Sequence, residues 1–194
     1  MYPDAECELT HHDPFQLLIS TILSAQCTDK RVNMVTPALF KRFKTPRSFA
    51  NAERSELEGL IRSTGFFRSK AKSIQEASRD IAEKHKGKLP ETMEELTQLR
   101  GVGRKTANVV LGTAFGKNEG VVVDTHVKRI SYRLGLTKQK DPVKVEKDLV
   151  EILPRKEWTL FSHRLIWHGR KLCKAARPQC PACDLAPLCP SAEF

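Results

Sequence analysis

The sequence predicts an all-α fold of roughly ten short helices. Three observations predict it. Apolar residues recur at helical spacing along most of the chain, capping signals stand ahead of several of these segments, and no stretch alternates long enough to make a strand. Asp13-Pro14-Phe15-Gln16 reads as a capping box with proline at the first helical position, and Phe15, Leu18, Ile19, Ile22 and Leu23 extend it into a helix over about 14–25. Val32, Val35, Leu39, Phe40 and Phe43 continue the pattern past Pro37, and Leu57, Leu60 and Ile61 repeat it before Gly65. Ala71, Ile74, Ala77 and Ile81 mark a helix that ends at Gly87, and Met93, Leu96 and Leu99 mark another before Gly101. Ala107, Val110, Leu111 and Ala114 mark its successor, closed by Gly116. Three more come after it: Val127, Ile130 and Leu134; then Val145, Leu149 and Ile152 behind Asp141-Pro142; then Trp158, Phe161 and Leu165. Val121 to Val123 is the one β-branched run, too short to carry a sheet.

With 194 residues, 40% of them hydrophobic, the chain can bury one sizeable core or two small ones. No apolar run approaches the ~20 residues that span a bilayer. Asp4, Glu6 and Glu8 stand where a basic, then apolar, leader would begin, so the expectation is an intracellular protein with no membrane partner. Net charge is +10, and its placement is uneven. Four windows hold no acid: 30–52 with six basic residues, 59–75 with four, 96–118 with four and 158–183 with five. Segregation of this kind suits a polyanion contacted by several separated segments, with salt-sensitive binding. Ordinary solvated helix faces are the alternative for any single window.

Between two predicted helices lies Leu99-Arg100-Gly101-Val102-Gly103-Arg104-Lys105-Thr106-Ala107. Its glycines permit a tight turn, and amides of such a turn and of the following helix start form a positive nest for a phosphate oxygen. Gly-x-Gly alone is weak, but placement between helices in an acid-free basic window reads as a helix-hairpin-helix. At the other end of the chain Cys173, Cys180, Cys183 and Cys189 crowd together, while Cys7 and Cys27 stand apart. Clustered thiols in a reducing compartment hold a metal more often than they form disulfides. Their spacing leaves zinc open, although the chain has only one Cys-x2-Cys pair.

Leu99-x-Gly101-Val102-Gly103-Arg104-Lys105-Thr106-Ala107-Asn108-Val109-Val110, followed by Val123-Asp124-Thr125-His126 and the four-cysteine cluster, resembles the endonuclease III family. Leu23-Ser24-Ala25-Gln26-x-Thr28-Asp29 and His168-Gly169-Arg170 extend the resemblance over about Phe15 to Cys189, with the motifs in the family's order. The resemblance implies a two-domain helical fold. Residues 8–117 would form a helical-barrel domain with the helix-hairpin-helix at about 88–116, and residues 1–7 and 118–194 a second domain with the catalytic aspartate and a cluster loop at 173–189. It also implies a [4Fe-4S] cluster held by the four cysteines. Lys174 and Arg177, between the first two ligands, would face DNA phosphates. The implied activity is base-excision repair by a bifunctional DNA glycosylase and abasic-site lyase that removes oxidised pyrimidines from double-stranded DNA. Such a protein is expected to act as a monomer in the cytoplasm, on the nucleoid if the source is bacterial. A monofunctional glycosylase of the same fold and a non-catalytic DNA-binding module with structural zinc are the alternatives.

The chemistry fits two residues. Displacing a base from deoxyribose requires attack at C1′, and a lysine amine can attack and then hold the sugar as a Schiff base, but only when neutral. Lys105 sits in the first turn after the hairpin, where the helix dipole and Arg104 both disfavour the cation. Asp124, before the helix at Thr125, reads locally as an N-cap; the resemblance adds that it activates Lys105 or a water and offsets charge on the sugar. An extruded base leaves a gap to fill and a strand to wedge. Gln26 and Phe66 match those roles, with a polar helix end and a core aromatic as the plain readings. Gly101, Gly103, Arg104, His126 and Lys174 complete the expected DNA contacts.

Overall fold

A computed structural model describes residues 1–192. Ten α-helices succeed one another along them: α1 (Pro14–Leu23), α2 (Asp29–Arg42), α3 (Pro46–Ala50), α4 (Arg54–Ile61), α5 (Phe67–Lys84), α6 (Met93–Gln98), α7 (Arg104–Phe115), α8 (Thr125–Arg133), α9 (Pro142–Ile152) and α10 (Trp158–Lys171). Four single 3-10 turns lie between or after them, and there is no strand among the described residues. The all-α expectation holds. No helix among the described residues is long and apolar enough to cross a membrane.

The chain divides into two compact units, one of Glu8–Lys117 and one of Met1–Cys7 with Asn118 onwards. In the first, Leu17, Leu18 and Ile19 of α1, Leu39 of α2, Leu57 and Ile61 of α4, Ile74 and Ile81 of α5 and Leu111 of α7 are fully buried. α1 packs on α7 and on α5, and α5 packs most extensively on α3. Periodicity passes over α3 because it is only five residues long, yet its start carries a signal. Thr45 accepts from Ser48 N, and the Ser48 hydroxyl accepts from Thr45 N, a reciprocal capping box ahead of Pro46. Its Phe49 is fully buried and has the rings of Phe15, Phe40 and Phe43 at 5.5, 6.4 and 5.2 Å. These tilted and edge-on contacts make it the centre of the aromatic core, worth about 3–5 kcal/mol against truncation to alanine.

α1 ends at Leu23, short of the expected 25. Gln26 lies at φ +52°, a left-handed conformation no helix continues through. At the other edge of this unit Thr92 caps α6, and Gly116 in the left-handed region ends α7.

The second unit has its own core of Val121, Val123, Val127, Ile130, Val145, Leu149 and Leu165, flanked by Leu134, Trp158 and Phe161. Val121 to Val123 form a buried segment without regular secondary structure, and the Val122 amide donates to the Ser162 hydroxyl at 3.1 Å. α8 lies against α10. Gly169 permits that approach, since a Cβ there would stand 2.5 Å from His126 Nδ1 and 2.9 Å from Arg129 Nη2.

Candidate active site and nucleic-acid interface

The hairpin between α6 and α7 is anchored by Leu99 and Val102, both buried, which leaves Gly101, Gly103, Arg104 and Lys105 exposed. The two glycines have different reasons to be there. Gly101 takes φ +77°, and a Cβ on it would meet Ser73 Cβ of α5 at 2.6 Å. The fold therefore requires glycine at this position. Gly103 has an ordinary φ of −92°, and nothing lies within 4 Å of where its Cβ would be. No demand of the folded chain excludes a side chain there; glycine suits the N-cap, and the open space leaves room for close approach by a ligand.

Gly103 is the N-cap of α7 and offers no side chain to it. The first-turn amides of Arg104, Lys105 and Thr106 have no intrahelical acceptor, which creates the positive helix start that an anion would occupy. Lys105, the second residue of α7, is held at this dipole end on a rigid element. Arg100 lies with Nε 3.6 Å from Glu76, an exposed pair whose worth is small.

Gln26 and Phe66 lie in the same unit as the hairpin, each exposed and each in the left-handed region, at φ +52° and +46°. Such conformations are uncommon for residues of this size. The sequence left Phe66 open between core and wedge; at 66% exposure it is not core. Phe67 takes the more sheltered place, with the guanidinium groups of Arg62 and Arg68 over its ring at 5.9 and 5.7 Å.

In the second unit Asp124 is the N-cap of α8, its carboxylate accepting from Val127 N at 2.8 Å. That bond fixes the side chain while leaving further acceptor positions on the carboxylate. His126 is half-buried against α10, and its Nδ1 accepts from Arg129 Nη2 at 3.1 Å. Packing of α8 on α10 therefore accounts for this residue at least as well as the DNA contact the sequence suggested.

Cys173, Cys180, Cys183 and Cys189 all line one small pocket, together with the apolar side chains of Ile130 and Leu185. Among the described residues no three His, Cys, Asp or Glu side chains come together as they would around a single metal ion. Four thiols lining one pocket are a donor set suited to a thiolate-held metal centre. Arg133 Nη1 donates to Cys173 Sγ at 3.3 Å, and the Cys189 thiol donates to the Arg133 carbonyl at 3.4 Å. His168 Nε2 stands 3.6 Å from Cys183 Sγ, and burial holds its pKa down. A donor to one sulfur and a neutral ring beside another are partners suited to thiolates bound to a metal centre.

Sequence reasoning missed the two arginines that shape this loop. Arg129 donates to the carbonyls of Gly169 (3.3 Å) and Cys173 (2.8 Å). Arg133 donates to those of Lys174 (2.7 Å) and Ala175 (2.9 Å). One helical turn apart on α8, they hold the stretch that presents Lys174 and Arg177, both exposed. Their i, i+4 spacing behind Asp124 was the available signal.

A helix-hairpin-helix with a basic helix start, two strained exposed loops and a separate four-thiol cavity define a class of DNA-binding repair protein. In agreement, the model for HhH-GPD superfamily base excision DNA repair proteins matches residues 19–155. Endonuclease III of Synechocystis sp. is 57% identical over 193 residues, covering 100% of this chain and 88% of its own. Endonuclease III of Bacillus subtilis is 48% identical over 97% of this chain and 86% of its own. The chain belongs to the endonuclease III family. A solved non-covalent endonuclease III–DNA complex superposes with a TM-score of 0.94 at 49% identity, covering 99% of this chain and 90% of that one. A trapped endonuclease III–DNA covalent intermediate gives the same figures. A thermostable thymine-DNA glycosylase at 23% identity and a TM-score of 0.84 shares the fold.

Proposed function

We propose that this chain removes oxidised pyrimidines from duplex DNA and cleaves the resulting abasic site, with Lys105 as the nucleophile and Asp124 as its acid–base partner. The observation that carries the reading is the position of Lys105: exposed, in the first turn of α7, beside an N-cap glycine whose open surroundings leave room for a ligand's approach. The lone pair of the Lys105 amine attacks C1′ as the bond to the base breaks. The base leaves with a proton, the sugar ring opens, and a C1′ imine to Lys105 remains. Loss of a C2′ proton then expels the 3′ phosphate as the C3′–O bond breaks, and water releases the enzyme. Asp124, immobilised by its capping bond, accepts the amine's proton and stabilises positive charge on the sugar.

Gln26 fills the space the base leaves, and Phe66 wedges the strand, since an exposed phenyl ring on a constrained loop is suited to entering a base stack. Gly101, Gly103 and Arg104 hold backbone phosphate at the start of α7, and Lys174 holds another on the loop tied down by Arg133. His126 orients the start of α8 through Arg129. Cys173, Cys180, Cys183 and Cys189 would hold a [4Fe-4S] cluster, which when bound ties the C-terminal loop to α8 and serves as a scaffold.

Borohydride trapping on duplexes carrying an oxidised pyrimidine tests the reading. Wild-type protein is expected to form a covalent adduct, and Lys105→Ala to form none while keeping its fold. An undiminished adduct with Lys105→Ala, or none with wild type, overturns it.

A further inference from the structure

Lys70 is a lysine with no part in the chemistry at Lys105 and Asp124. It lies in the first turn of α5, is only 5% exposed, and burial lowers its pKa. Lysine is seldom buried unless it is paired, and here the partners are two backbone carbonyls. Nζ donates to Leu23 O at 2.7 Å and to Thr64 O at 2.8 Å. Leu23 ends α1, and Thr64 ends the 3-10 turn that continues α4. Both are C-terminal carbonyls of helical runs, the groups that lack a partner within the helix and lie at its negative end. One ammonium thus caps two helix ends that belong to different parts of the chain.

The residues just past those two ends make the arrangement more than a buried ion. Gln26 comes three residues after Leu23, and Phe66 comes two residues after Thr64. Both are left-handed, and such residues persist only where surrounding structure over-determines them. The main chain adds a third tie, since Lys70 N donates to Phe66 O at 3.0 Å. A cation near the start of α5 is unfavourable with respect to that helix's own dipole, so the position is explained by the two ends it joins.

We propose that Lys70 is a positioning residue for base extrusion, its ammonium coupling the Gln26 and Phe66 loops so that both side chains enter the duplex as one unit. This rests on Gln26 acting as gap filler and Phe66 as wedge. Lys70 touches no substrate. It acts by setting where two loops begin, and misplacement of about 1 Å at a reacting centre can cost on the order of 100-fold in rate.

The test uses the full-length protein with Lys70→Met, which keeps the length of the side chain and removes its charge and donors, and Lys70→Arg, which keeps both. Thermal unfolding sets a temperature at which each is folded. Extrusion is read from the fluorescence of 2-aminopurine beside an abasic-site analogue in a duplex, a signal that needs no chemistry. Cleavage is read on an abasic site in duplex and in single-stranded DNA, where no partner strand has to be opened. Folded Lys70→Met is expected to lose duplex extrusion and duplex cleavage by about 10- to 100-fold and to keep single-strand cleavage. Lys70→Arg is expected to recover most of the duplex signal. Equal losses on duplex and single strand would show a merely structural lysine and overturn the proposal, as would wild-type extrusion by Lys70→Met. A wild-type protein that extrudes but never cleaves refutes the lyase reading instead, and the extrusion ratio of the two variants still decides the part played by Lys70.

Discussion

Replacing Gly101 by alanine places a methyl carbon 2.6 Å from Ser73 Cβ and 2.8 Å from Ser73 Oγ, and it does so at φ +77°. The left-handed backbone costs an L-residue about 1–2 kcal/mol. Relief of the contact requires α5 and the hairpin to move apart, because Ser73 Cβ is fixed to its helix and cannot swing away; overpacking of this kind costs about 1–3 kcal/mol. Restriction of the unfolded chain offsets about 0.4–1 kcal/mol. The net loss is about 2–4 kcal/mol, a fall in thermal midpoint of roughly 5–15 °C for a chain of this size. Gly103→Ala is the control. Its φ is ordinary and its surroundings are open, so the loss of a good N-cap and the gain in unfolded-state entropy nearly cancel, leaving stability within about 1 kcal/mol of wild type. Its effect falls on DNA: a methyl group before the first amides of α7 bars a phosphate whose charge-assisted hydrogen bonds are worth about 1.5–3 kcal/mol, or about 10- to 100-fold in affinity. Urea unfolding and titration of a duplex with an abasic-site analogue measure the two quantities. Combining Gly101→Ala with Ser73→Gly removes the contact but not the φ, so a coupling of about 1–3 kcal/mol is expected. An unchanged midpoint for Gly101→Ala, or wild-type DNA affinity for Gly103→Ala, would refute the separate reasons assigned to the two glycines.

Asp124→Asn preserves the cap on α8 and Asp124→Ala removes it, so only the second should lose about 1 kcal/mol of stability. Both should lose turnover by about 10²- to 10⁴-fold, and an asparagine variant as active as wild type would reduce the residue to a cap. Phe66→Ala removes an exposed ring, so unfolding should not change, while cleavage of a lesion in duplex falls and that of a single-stranded abasic site does not. Iron and sulfide analysis of purified protein is expected to find about four of each per chain, with Cys183→Ser lowering both; zinc without iron would exclude the cluster. Arg133→Met, which frees the carbonyls of Lys174 and Ala175, should weaken DNA binding and flatten its salt dependence while leaving the borohydride adduct obtainable at saturating DNA.

Much of this protein was legible from local patterns. Helix period, proline and aspartate caps and terminal glycines act within a few residues, so nine of the ten helices could be anticipated, and only α3 escaped because five residues cannot display a period. Lys105 and Asp124 were legible for a related reason: a hairpin that opens a helix and an aspartate that caps one are local devices, and the chemistry they suit depends on where a helix begins. The four cysteines declared themselves by spacing alone.

Tertiary structure decided the places where distant segments meet. Phe66 could have been core or wedge, since an aromatic residue in a loop reads the same either way until its exposure is known. The reason for Gly101 lies in Ser73, and the work of Arg133 lies in carbonyls about forty residues away. Lys70 looked like one more charge in a basic window, yet its ammonium is buried against Leu23, 47 residues distant, and Thr64. A chain announces its short-range hydrogen bonds through residue type and period. Bonds closed by the packing of whole helices leave no mark on the local sequence, and here they hold the loops assigned to opening the duplex.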